Sequence, residues 1–199
     1  MNVAHAEFLA HLDAVDPKMA ELVRVQGPLD WPEPRPHFEA LVRAIVGQQV
    51  STKAAATIFN RIADLVKCEF TPQLLNSFSD ATLRGVGLSR QKVAYVRALS
   101  VAWMEDPERF EHLGTLSDEG VCAALTSING IGVWTAQMFM MFTLQRPDVF
   151  APGDSGLKKA MANRLGLAME SPERAFVVRA ERWSPHRSWS SLHLWRSLA

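Results

Sequence analysis

The chain is short of the residues that mark several common classes. It has only two cysteines, Cys68 and Cys122, far apart and in no CxxC or Cys/His spacing. Neither a disulfide framework nor a zinc or iron–sulfur site is therefore expected, and both cysteines read as small core residues. No apolar run approaches the roughly 20 residues of a membrane span. The first residues, MNVAHAEFLAHLDAV, carry acids at Glu7 and Asp13 in place of a basic leader. The expected location is cytoplasmic, with no membrane partner. Charge of one sign is lacking too: Lys plus Arg and Asp plus Glu both number 21. That balance excludes a blanket nucleic-acid coat but not a local patch. Alternating runs between hairpin turns are absent, so nothing asks for a sheet.

What is present is helical periodicity, and the expected fold class is all-α. A helix is expected over about residues 4 to 14, and a second from Pro17, a residue suited to a helix start, to Gln26. GPLDWPEPRPH holds four prolines and reads as a linker. The expected organisation is thus 1–36, N-terminal helices and a Pro-rich linker packing on the C-terminal lobe, followed by a core over 37–199. Phe38, Leu41, Val42 and Ile45 form one helical stripe that ends at Gly47-Gln48-Gln49, and Ser51 can cap the next helix. From Lys158 onward there are eight Lys/Arg against three Glu, a candidate electrostatic footprint.

Residues 125–156, LTSINGIGVWTAQMFMMFTLQRPDVFAPGDSG, hold the densest chemistry. A helix ends at Asn129-Gly130, and another begins around Ile131 that is apolar on most sides and so expected to be buried. Its methionines read as adaptable packing. A Pro152-Gly153 turn then delivers Asp154. A helix–GxG–helix hairpin can aim backbone N–H groups at a phosphate, with glycine permitting close approach, or can be only a tight connection. Gly85-Val86-Gly87 is a weaker echo of it. Asp154 is well placed to cap a helix, and a carboxylate fixed that way can also stabilise a cationic transition state. The polar tip at Gln48-Gln49 reads equally as a solvated turn. The last helix, from about His186, carries Trp189, Leu192 and Trp195 on one side.

LTSINGIGVWTAQMFMMF…DVFAPGDSGLKKA resembles the signature of the helix-hairpin-helix DNA glycosylase superfamily. AIVGQQVSTKAAATI, GLSRQKVAYVRALS and RWSPHRSWSSLHLW are similar to its 3-methyladenine DNA glycosylase II group. The four motifs occur in order and cover roughly 37–199. The resemblance implies two helical lobes with the active-site cleft between them, and a monofunctional enzyme that excises alkylated purines of the 3-methyladenine and 7-methylguanine type from double-stranded DNA. It implies Asp154 as the catalytic aspartate, Trp134, Trp195 and Met138 in the base pocket, and Gln48 and Gln49 at the turn that enters the duplex as a wedge, with Gln49 at the position that fills the gap. Gly130, Gly132 and Thr135 would hold a DNA phosphate.

Trp134 falls where bifunctional relatives place a Schiff-base lysine, so hydrolysis without strand cleavage is implied. No cofactor is required by this chemistry. The family's monovalent cation, Na+ or K+, would meet the carbonyls of Thr126, Ile128 and Gly130. A monomer is the family expectation. Met138 and Ser155 stand where a well-known bacterial relative has tyrosines, which implies a differently shaped pocket. Two other readings remain open from the residues alone: a non-catalytic helix-hairpin-helix DNA-binding module, and a glycosylase for uracil or hypoxanthine.

Overall fold

A computed structural model describes residues 3–67 and 69–198. In chain order the helices are α1 (Val3–Val15), α2 (Pro17–Gln26), α3 (His37–Gly47), α4 (Thr52–Leu65), α5 (Pro72–Ser77), α6 (Asp80–Gly85), α7 (Arg90–Glu105), α8 (Pro107–Glu111), α9 (Asp118–Thr126), α10 (Val133–Phe142), α11 (Ser155–Ala160), α12 (Glu173–Glu181) and α13 (Arg187–Arg196). A 3-10 turn at Leu113–Thr115 and a π-turn at Met161–Leu165 complete the set. Among the described residues every regular element is helical, as the periodicity requires. None of these helices is long and apolar enough to cross a membrane.

The helices start where short polar side chains can accept from the first free N–H groups. Asp16, Ser51, Thr71, Ser79, Ser89, Asp106, Ser117 and Asp154 each accept such a bond. Pro17, Pro72 and Pro107 sit just inside their helices, where a missing N–H costs nothing.

The chain divides into two compact units, Glu33–Leu144 and the pair of segments Met1–Pro32 and Gln145–Ala199. In the Glu33–Leu144 unit, Leu41, Val42, Ile45 and Val46 of α3 are fully buried. Trp103 stacks on Phe110 at 5.1 Å and meets Phe38 edge-on at 5.3 Å, which joins α3, α7 and α8. α10 begins at Val133, with Gly132 as its N-cap and no side chain capping it. It is not buried all round: Val133 is 54% and Trp134 42% exposed, while Thr135, Ala136 and Phe139 to Met141 face the core.

In the other unit, α1 and α2 meet at Asp16, whose carboxylate is 2% exposed and takes two bonds from Arg179 (2.7 and 2.8 Å) and one from the Trp183 indole (3.0 Å). On α13, Ser188, Ser190, Ser191, His193 and Leu194 are the buried residues, whereas Trp189, Leu192 and Trp195 are half-buried. Serines are small enough to let this helix approach its neighbours closely, so the indoles are left at the margin of the core. Cys122 is half-buried on α9, and Cys68 lies outside the described residues.

Candidate functional site

Asp154 follows the Pro152-Gly153 turn and is half-buried. Its Oδ1 accepts the Leu157 N–H at 2.7 Å, which caps α11, and the Trp195 indole N–H at 3.0 Å. Two donors on one oxygen fix the carboxylate's rotation. Gly156 leaves room for this contact. A Cβ there would lie 3.0 Å from Asp154 Oδ1 and 3.2 Å from Trp195 Nε1, so a side chain would push the two apart.

The loop that leads to Asp154 is held by the start of α13. Asp148 accepts a bidentate bond from Arg187 (2.7 and 3.0 Å), the Arg187 backbone N–H and the Ser184 hydroxyl. Burial alone would raise the Asp148 carboxyl, but bonds from Arg187 and Ser184 and the guanidinium charge outweigh it and hold it below the usual aspartate value. Ser188 donates its hydroxyl to the Arg146 carbonyl at 2.6 Å and accepts the Val149 N–H at 2.9 Å. α13 therefore holds the loop's entry at one end and contacts Asp154 with Trp195 near the other. Nothing local in the sequence announces the Asp148–Arg187 pair. Its signal is two charges 39 positions apart.

In the Glu33–Leu144 unit, the hairpin between α9 and α10 turns at Gly130, whose φ of 93° is readily reached only by glycine. The Tyr95 ring packs directly against it: a Cβ at Gly130 would lie 2.1 Å from Tyr95 Cγ. Gly132 has open space around it, so a ligand atom can approach its backbone. Thr135 is 3% exposed, its side chain turned into the core. Trp134 presents its indole at the surface, and Met138, one turn on, is half-buried.

At the α3–α4 turn, Gln48 is half-buried and donates its amide to the Gly130 carbonyl at 2.9 Å, whereas Gln49 is exposed. Lys92, 9% exposed, donates its ammonium to the Val46 carbonyl at 2.7 Å, and burial pushes its pKa down. Sequence reasoning missed Tyr95 and Gly156, and helical periodicity sets Lys92 on the outer side of α7, where the structure instead buries it; each matters only through a neighbour distant in the chain or through a missing side chain.

The three carbonyls expected to face a monovalent cation lie in one turn. Ile128 already accepts the Ile131 N–H at 3.1 Å and Gly130 the Gln48 amide. A carbonyl oxygen has two lone pairs, so this set of hard oxygens fits an alkali ion that shares them. Among the described residues no three His, Cys, Asp or Glu cluster to hold a metal. The basic surplus after Lys158 is not one free face. Lys158, Arg179 and Arg187 are ion-paired to Glu173, Asp16 and Asp148, and Arg164 and Arg182 donate to main-chain carbonyls.

Several known proteins are similar to this chain. A crystal structure of DNA-3-methyladenine glycosidase from Bacillus halodurans is 32% identical, with a TM-score of 0.83 over 98% of this chain and 89% of that one. The Schizosaccharomyces pombe 3-methyladenine DNA glycosylase in complex with abasic DNA is 27% identical, with a TM-score of 0.86 over 96% of both chains. DNA-3-methyladenine glycosylase 2 of Escherichia coli is 32% identical over 79% of this chain. The chain spans little more than half of some bacterial relatives, 56% of that one and 58% of one from Bacillus subtilis. The model of the HhH-GPD superfamily base excision DNA repair proteins matches residues 42–185. The chain belongs to that superfamily, and its relatives set it beside the 3-methyladenine glycosylases.

Proposed function

We propose that this protein is a monofunctional DNA N-glycosylase that flips alkylated purines out of duplex DNA and hydrolyses their glycosidic bonds, the opening step of base-excision repair. The observation that carries the reading is the Asp154 carboxylate, held by the Leu157 and Trp195 N–H groups on a glycine-lined turn. As the C1′–N bond breaks, its electron pair leaves on the base. A purine alkylated at N3 or N7 carries positive charge and becomes neutral by accepting that pair, so no acid is needed on the base. Asp154 stabilises the positive charge that develops on the sugar. Water then adds to C1′ and gives up a proton to the carboxylate or to solvent.

The remaining roles follow the family pattern one residue at a time. Trp195 offers an indole face to a cationic base, an attraction of roughly 0.5–2 kcal/mol. Trp134 and Met138 are assigned to the pocket, and an indole at position 134 has no amine to form an imine with the sugar. Gly130, Gly132 and Thr135 belong to the phosphate grip at the α10 N-terminus, where the helix dipole favours an anion. A Na+ or K+ bound by the carbonyls of Thr126, Ile128 and Gly130 would add positive charge beneath that phosphate. The Gln48-Gln49 turn enters the duplex where the nucleotide has left it. The enzyme works as a monomer on DNA in the cytoplasm.

The test is base release from a panel of methylated, deaminated and oxidised duplexes, resolved by chromatography. Methylated purines are expected in the supernatant. Asp154→Asn should bind the duplex and release base at least about 100-fold more slowly. An active Asn variant, or release confined to uracil or hypoxanthine, overturns the reading.

A further inference from the structure

The turn between α3 and α4 is braced from two sides. The Lys92 ammonium meets the Val46 carbonyl in the last turn of α3, at the negative end of the helix dipole. Two residues on, the Gln48 amide reaches the Gly130 carbonyl, 82 positions away in the chain. α7 supplies the third side. Lys92 and Tyr95 are three residues apart on it and so share a face. Lys92 holds the turn, while the Tyr95 ring supports the hairpin at Gly130. Turn, hairpin and α7 thus form a closed triangle within one unit.

The two glutamines of the turn are not equivalent. Gln48 has an extended backbone (φ −58°, ψ 129°) and a half-buried side chain that is engaged by Gly130. Gln49 has a left-handed backbone, φ 55°, and is exposed. That conformation is costly for a residue with a Cβ and persists only where the neighbours enforce it. The bonds at Val46 and Gln48 are placed to do so.

Resting on the reading that the hairpin grips a phosphate and the turn enters the duplex, we infer that Gln48 is a positioning residue. It joins turn and hairpin into one DNA-contacting piece, braced by Lys92 and Tyr95, and only Gln49 enters the helix. A phosphate held by the hairpin then fixes the height of Gln49 over the base stack. Grip and insertion are set by one rigid part instead of two independent ones.

Gln48→Met keeps the length of the side chain and removes the donor; Gln49→Ala removes the inserting group. Amide hydrogen exchange of the free protein reads the brace without DNA. In Gln48→Met the hairpin amides of residues 128–134 should exchange about 2- to 10-fold faster, the worth of one hydrogen bond, and in Gln49→Ala they should not change. Affinity for undamaged and for abasic duplex reads the division of labour. Gln48→Met should weaken both by the same factor, because the phosphate grip serves both; Gln49→Ala should weaken only the abasic complex. If Gln48→Met does not fold, Gln48→Glu, polar but unable to donate, gives the same readings. Unchanged hairpin exchange, or a loss confined to abasic DNA in the Gln48 variant, overturns the inference. Wild-type protein that binds neither duplex sinks the glycosylase reading instead, and the exchange arm still decides the brace.

Discussion

The Trp195 indole N–H and the Leu157 backbone N–H converge on the same oxygen of Asp154, at 3.0 and 2.7 Å. Leu157 holds the carboxylate as a helix cap, and Trp195 adds a second restraint from a helix residue 41 positions away. Trp195→Phe keeps an aromatic face and removes the donor. A hydrogen bond to a charged group is worth about 1.5–3 kcal/mol, so the single-turnover rate of base release should fall roughly 10- to 100-fold. Binding to abasic duplex should change little. A parallel loss of binding and rate would show that the indole face, and not the N–H, is what matters.

The glycines of the two motifs should divide cleanly. At Gly130 a methyl group would meet the Tyr95 ring at 2.1 Å and the backbone is left-handed, so Gly130→Ala must shift the hairpin and lower the melting temperature. At Gly132 nothing lies within 4 Å and φ is −97°. Gly132→Ala should therefore melt like the wild type yet bind duplex DNA more weakly, because its methyl group occupies the approach of a phosphate. The same contrast holds near Asp154. Gly156→Ala crowds Asp154 and Trp195 and should lose activity, whereas Gly153→Ala meets open space and should retain it. Melting curves beside a base-release assay check all four.

These contrasts separate what local sequence dictates from what only the folded chain brings together. The Asp154 turn and the Gly130 hairpin were legible because turn chemistry is local: Pro-Gly before a capping aspartate and glycine at a left-handed position act through neighbouring residues. The partners that tune them were not. Trp195 reaches Asp154 and Gln48 reaches Gly130 only after the chain has folded, and no periodicity carries that information. The packing of α13 is not legible in its sequence either: Trp189, Leu192 and Trp195 share one side, but the buried residues are Ser188, Ser190, Ser191, His193 and Leu194. Similarly, α10 is apolar on most sides, yet its first turn leaves Trp134 42% exposed. An apolar residue at the surface is invisible to a rule that sorts only by hydrophobicity.

Asp16 should dominate the acid limb of stability. Burial would raise its carboxyl, but bonds from Arg179 and Trp183 and the guanidinium charge outweigh that and hold it below the ordinary value of 3.8. The folded state then binds this proton less tightly than the unfolded chain. The stabilisation is complete above the unfolded value and is lost as pH falls through the lower folded one. Asp16→Asn can still cap α2 but leaves the Arg179 guanidinium without its counter-charge. A broken pair of this burial is expected to cost about 3 kcal/mol near neutral pH. Urea unfolding from pH 5 to pH 2.5 should show a shallower acid slope in the variant, and an unchanged slope would mean that Asp16 is not the controlling group.

His193 places a second pH dependence at milder acidity. Its ring is fully buried against Phe8, 5.8 Å between centroids, and its Nδ1 meets Gln26 Oε1 at 2.7 Å. Burial, with lesser contributions from His5 and Arg196, lowers its pKa to about 4 from an ordinary 6.5. Between those values the unfolded chain takes up a proton that the folded chain refuses. Stability is therefore full above pH 6.5 and declines as pH falls toward 4. His186, lowered by burial and by His11 against weaker opposition from Asp148 and Glu7, acts in the same direction. The melting temperature should fall steadily from pH 7 to pH 4.5, before the carboxylate limb begins. His193→Gln has no proton to gain in that range, so its melting temperature should be lower at pH 7 but flatter across the interval. A slope equal to that of the wild type would assign the effect to His186 and its neighbours on α1.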